Sequence, residues 1–160
     1  MKKMKKMVET RSVILVLLLT LASLSAACSY SMHFVVVNAS DHPIEVRCKI
    51  KAWPGQPDPL GSVGPLSITT ASQLRAWSTE WRDLSRQEYG YDQESKTVAV
   101  LVMPGEAVQV QRSSSAGMSI SFPIEEINIA GVDGEVRFQG EQAFKAFLKQ
   151  TDRLFTLTYR

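Results

Sequence analysis

The chain has 160 residues, 44% hydrophobic and 8% aromatic, with 18 Lys and Arg against 16 Asp and Glu. The basic excess sits before Cys28, in Lys2, Lys3, Lys5, Lys6 and Arg11 against Glu9 alone; from Cys28 onward there are 13 basic and 15 acidic residues, a net charge of −2. Nucleic-acid binding, which draws on Lys and Arg clustered against phosphate, has no support in that balance, and the length suits one domain around one core.

The first segment has the order of a bacterial export signal: a basic head, the apolar run Val13 to Leu21, then the small residues Ser25-Ala26-Ala27. The run falls short of the about 20 residues of a permanent span, so cleavage after residue 27 is expected. Leu24-Ser25-Ala26-Ala27-Cys28 resembles the lipobox of bacterial lipoproteins, with Ser25 three residues before the cysteine and Leu24 one position upstream of the commonest pattern. The resemblance implies cleavage before Cys28 and a diacylglycerol on its sulfur, so that the membrane is reached through lipid. It also implies an envelope location, with Ser29 favouring the outer membrane and the body facing the periplasm or the surface. Ordinary signal peptidase cleavage at the same bond is the alternative, since Ser25 and Ala27 are small; it would give a soluble periplasmic or secreted protein.

Cys28 and Cys48 are the two cysteines. If Cys28 carries lipid, Cys48 is a buried thiol. If it does not, a Cys28 to Cys48 disulfide closes a loop worth on the order of 3 kcal/mol in the chain-entropy model.

Residues 28–33 read as a tether and residues 34–160 as a single domain. Phe34 to Val37 and Ile44 to Ile50 read as a β-hairpin across the turn Asn38 to Pro43, because Ile44, Val46, Cys48 and Ile50 alternate with charged residues. Trp53 to Pro65, rich in proline and glycine, reads as a long surface loop. Leu74, Trp77, Trp81 and Leu84 recur at helical spacing, which predicts a helix or two shorter pieces over Ser72 to Glu88, with Ser72 as N-cap and Gly90 as the stop. Thr97 to Met103 and the alternating Val108 and Val110 read as a second hairpin across Pro104-Gly105. Arg112 to Gly117 reads as a serine-rich loop and Met118 to Phe122 as a strand. Ile127 to Ala130 and Glu135 to Gln139 read as a hairpin around Asp133-Gly134. Glu141 to Gln150 reads as a short amphipathic helix, and Leu154 to Tyr159 as the closing strand. The sum is a mainly β fold, an antiparallel β-sandwich of about seven strands, loosely immunoglobulin-like, with one or two short amphipathic helices.

No phosphate-binding glycine loop, metal-spaced cysteine pair or nucleophile elbow is present in the sequence. His33 and His42 are the two histidines, and both read as solvated loop residues. Glu125 and Glu126 are neighbours, so on a strand they point to opposite faces and do not share a substrate. The aromatic residues remain: Trp53, Tyr89 and Tyr91 are the candidate contact residues, whereas Trp77 and Trp81 read as core. No catalytic residue, cofactor or metal is assigned. The leading expectation is a non-enzymatic, lipid-anchored envelope protein with a protein-interaction or structural role. The alternatives are a carbohydrate- or peptidoglycan-binding module using its aromatics and a small envelope enzyme without a visible motif.

Overall fold

The alternation in Ile44 to Ile50 becomes strand β2 (Ile44–Ile50), whose Ile44, Val46, Cys48 and Ile50 are at most 5% exposed while Arg47 and Lys49 face solvent. In the computed structural model, which describes residues 30–51, 66–75, 79–115 and 122–160, β2 is the middle strand of a five-stranded sheet. Its order is β5-β6-β2-β8-β9, formed by β5 (Tyr89–Asp92), β6 (Thr97–Val102), β8 (Ile124–Gly131) and β9 (Gly134–Gln139). The facing six-stranded sheet runs β10-β11-β1-β7-β3-β4, from β1 (Tyr30–Asn38), β3 (Ser67–Thr70), β4 (Arg82–Asp83), β7 (Glu106–Ser115), β10 (Leu148–Lys149) and β11 (Leu154–Tyr159). Antiparallel pairing dominates, and β11 runs parallel to β1. The architecture is the expected β-sandwich, with eleven strands among the described residues in place of about seven; β4 and β10 have two residues each.

Between the sheets, Met32, Phe34 and Val36 of β1 meet the apolar side of β2, together with Val98, Val100, Ile127 and Ile129. Phe34 is fully buried and lies within 6 Å, ring centre to ring centre, of Phe122, Phe144, Phe147 and Phe155. Each such side chain contributes on the order of 2 kcal/mol by leaving water.

Several expectations are corrected. β1 and β2 do not pair: the chain leaves one sheet at Asn38 and enters the other at Ile44, so the turn is an arch between sheets. Alternation in β2 specifies which side faces the core but not which strand lies beside it, and β1 is buried on both faces, Val35 and Val37 included. The Pro104-Gly105 turn is a second arch, from β6 to β7, with Gly105 at φ 75° and the Glu106 amide donating to the Met103 carbonyl at 3.0 Å. The hairpin of β8 and β9 is as expected, with Gly131 opposite Gly134.

No long helix occupies the described part of Ser72 to Glu88, which holds a 3-10 turn (Ala71–Gln73) and β4; Gly90 lies inside β5, opposite Ala99. The apolar residues there serve two cores. Leu74 and Trp81 pack on Val35, Val37, Ala107 and Leu154 at the outer face of the six-stranded sheet, whereas Leu84 joins the core between the sheets. The second helix is confined to α1 (Glu141–Lys145), and Leu148, expected on its apolar side, is 67% exposed in β10. β7 runs on to Ser115 through residues expected in a loop. Tyr30 to His33, read as tether, are strand. The leader with Cys28, the Trp53 to Pro65 loop, Trp77, Met118 and Ile120 lie outside the described residues.

Candidate functional site

The two outer faces of the sandwich differ. On the five-stranded sheet, β8 and β9 expose a solvated network: Arg137 donates to Glu126 at 2.7 Å, Gln139 donates to the same carboxylate at 2.9 Å, and Asn128 donates to Glu135. Lys49 pairs with Glu125 at 3.5 Å. The guanidinium of Arg137 and, less strongly, the Gln139 amide hold Glu126 below the usual carboxylate range. Lys49 bonds Glu125 and also acts on Glu126, so the two carboxylates expected on opposite faces of the strand both answer to one cation, at the point where the register of β2 against β8 shifts.

On the six-stranded sheet the outer face is covered and polar. Ser67, Gln109, Gln111, Ser113 and Thr156 are all under 9% exposed. Ser67 donates its hydroxyl to Asp83 at 2.7 Å, Gln150 donates to the Thr156 hydroxyl at 3.0 Å, and His33 Nδ1 bonds Gln109 Oε1. The His33 ring lies parallel to Trp81 with centres 6.0 Å apart. His33 is thus a part-buried strand residue beside Trp81 rather than a solvated loop residue. His42 sits in the arch after β1; the five residues from His33 to Asn38 alone span about 17 Å at ~3.3 Å each, too far for one metal ion. Among the described residues no group of three His, Cys, Asp or Glu side chains could hold a metal, and no helix is long and apolar enough to cross a membrane.

Of the candidate contact residues, Cys28 and Trp53 fall outside the described residues. Tyr89 and Tyr91 alternate along β5, half-buried against the core, and the Arg86 guanidinium lies 5.1 Å from the centre of each ring. Asp92, at the end of that strand, is a turn organiser. It accepts the Ser95 hydroxyl at 2.6 Å and the amides of Glu94 and Ser95, and these bonds, Ser95's foremost, lower its pKa.

Besides a shallow hollow at Ser72, Gln73, Arg75 and Glu80, two concavities lie at opposite ends of the sandwich. The larger, about 490 Å³, is lined by Phe122, Ile124 and Phe144, with Lys51, Glu125 and Glu141 around it. It lies at the end where β1 begins, since Ile50 pairs with Ile124 and the Gly140 amide donates to the Glu125 carbonyl at 2.7 Å. The smaller, about 310 Å³, opens between the edge strand β9 and the end of β11 that β10 leaves uncovered, beside the β8 to β9 turn; Ile129, Val136, Phe138 and Leu157 give it apolar walls. Asp133, Glu135 and Arg160 also line it. Sequence patterning could not reveal this cleft, because it depends on where β10 stops and which strands end up at the sheet edges. The chain matches no family model, no curated protein and no solved structure.

Proposed function

We propose that the chain is a non-enzymatic, lipid-anchored protein of the bacterial cell envelope that makes protein contacts through the end of its β-sandwich farthest from the membrane. The observation carrying this reading is the lipobox-like Leu24 to Cys28, with Cys28 only two residues before β1 begins at Tyr30. Two residues reach at most about 7 Å, so a lipid on Cys28 holds the start of β1 at the headgroups. The nine residues of β1 then carry the chain about 30 Å outward at ~3.3 Å each.

At the outward end Asp41, Glu45, Glu106, Asp133 and Glu135 lie among Arg47, Arg137 and Arg160, a surface of mixed charge. A diacylated cysteine gives stable attachment where one acyl chain gives only marginal binding.

Growth with labelled fatty acid tests the reading. Label is expected in the wild-type protein and absent from Cys28→Ala; an unlabelled wild type overturns it.

A further inference from the structure

Along β11 the backbone faces alternate sides. The carbonyls of Arg153 and Tyr159 accept from the amides of His33 and Ala39, each at 2.8 Å, so the odd-numbered residues turn toward the β1 side. The even-numbered residues turn away, and the Leu154 carbonyl accepts the Gln150 amide at 2.8 Å. The strand on that side, β10, covers only Thr156 and Phe155, opposite Leu148 and Lys149. Thr158 therefore presents its main-chain amide and carbonyl at an edge that no described strand covers, with Arg160 just beyond the end of β11. The 310 Å³ cleft lies against this same stretch, with Leu157, Thr158 and Arg160 in its wall.

We propose that the cleft receives an extended peptide segment of a partner protein as an added strand. Its backbone pairs antiparallel with β11 at Thr158 and Arg160, in line with β10, and its alternate apolar side chains enter the cleft over Ile129, Val136, Phe138 and Leu157. The proposal rests on the protein-contact reading above and supplies its chemistry. A main-chain donor and acceptor at Thr158, in line with β10 and beside an apolar cleft, suit a peptide backbone better than a compact small molecule. The space suits aliphatic side chains, and Asp133 and Glu135 favour Lys or Arg in the residues flanking them. A second copy of the chain fits poorly. Self-pairing centred on Thr158 would set Arg160 of the copy against Thr156, where Leu148 already lies.

The probe is a short synthetic peptide of alternating Val and Thr with Lys at both ends, added to the purified full chain in detergent and followed by fluorescence anisotropy and amide exchange. Two variants address the site. Thr158→Pro removes the outward amide while leaving the odd-numbered residues to bond β1, and Val136→Glu puts a charge at a cleft residue that is 41% exposed. The expected result is saturable binding to wild type, slowed exchange at Thr158 and Arg160, and at least tenfold weaker binding by each variant that melts like wild type. If Thr158→Pro does not fold, Val136→Glu decides alone. Absence of binding to wild type, equal binding by a folded variant, or protection along β9 in place of β11 overturns the proposal. Fatty-acid labelling is read on the same protein, so a lipidated chain that ignores the peptide counts against the added strand and leaves the anchor standing.

Discussion

The carboxamide of Asn38 donates to the main-chain carbonyl of Val102 at 3.0 Å, joining residues 64 positions apart. Both partners stand where the chain changes sheet, Asn38 at the end of β1 and Val102 at the end of β6. The same carboxamide donates to the His42 carbonyl at 2.8 Å and accepts from the Ser40 amide and hydroxyl, while the Asn38 carbonyl accepts the Gly105 amide at 3.0 Å. One fully buried side chain thus satisfies polar groups of both arches.

Asn38→Ala is expected to lower unfolding stability by about 3 kcal/mol, since each buried polar group left unsatisfied costs about 1–3 kcal/mol. Urea titration measures it. Asn38→Asp keeps the acceptor but turns a carboxylate toward two carbonyl oxygens. Its folded pKa is then raised, so the cost of that substitution is smallest at low pH and grows as pH rises above the unfolded value of about 3.9.

Gly131 and Gly90 give opposite outcomes on substitution by alanine. A Cβ at Gly131 would stand 2.7 Å from the Tyr159 hydroxyl oxygen and 3.0 Å from Cζ, and Tyr159 is held by its bond to the Gly134 carbonyl at 3.2 Å. At Gly90 the nearest atoms are 3.8 Å away. Gly131→Ala is expected to lose about 1–3 kcal/mol through overpacking, partly recovered with Tyr159→Phe, whereas Gly90→Ala is neutral or stabilising by a few tenths. Thermal melts of the three variants separate these outcomes.

Acid stability follows from carboxylates held below their ordinary values. Glu88 is lowered from 4.5 to about 2 by the Ser85 amide first, then by Arg82; Asp92, Glu126, Glu141 and Asp152 are lowered as well. Depressed folded values contribute stability that is present above the unfolded pKa and lost as pH falls through the folded one. Denaturation midpoints are expected to fall from roughly pH 5 down to pH 2, less steeply in Glu88→Gln. An identical slope in the variant would contradict this.

At the alkaline end Cys48 contributes, because burial pushes its thiol from 9.0 up to about 12. The neutral thiol is favoured in the folded state, so its contribution is complete below the unfolded value and declines between about pH 9 and pH 12. In the native protein at pH 8, Cys48 is expected to resist iodoacetamide, reacting only as fast as the chain opens; Cys48→Ala removes its share of the alkaline decline.

The strand pattern was legible where a face was clearly split, as in β2 and β8, because alternation reports the core side directly, whereas β9, exposed except at Phe138, was legible from the Asp133-Gly134 turn. Sheet membership was not, and Asn38 shows why: a turn rich in Asn, Ser, Asp and Pro serves an arch as well as a hairpin, and what decides is a partner 64 residues away. Val35 and Val37 did carry a hint, since an unbroken apolar run suits a strand buried on both faces. Leu74, Trp81 and Leu84 misled because their spacing matches a helix while they divide between two cores. Ser67 and Thr69 hid β3, as its outward side chains are polar yet buried. The cleft beside Thr158 is defined by the end of a two-residue strand, a feature with no periodic signature.

The intact mass of the protein purified from the membrane fraction tests the central claim most directly. The account predicts a chain that starts at Cys28, carries diacylglycerol and a further acyl group there, and retains Cys48 as a free thiol. A species still bearing residues 1–27, or one starting at Cys28 with no acyl mass and two hydrogens short through a Cys28 to Cys48 disulfide, would contradict it.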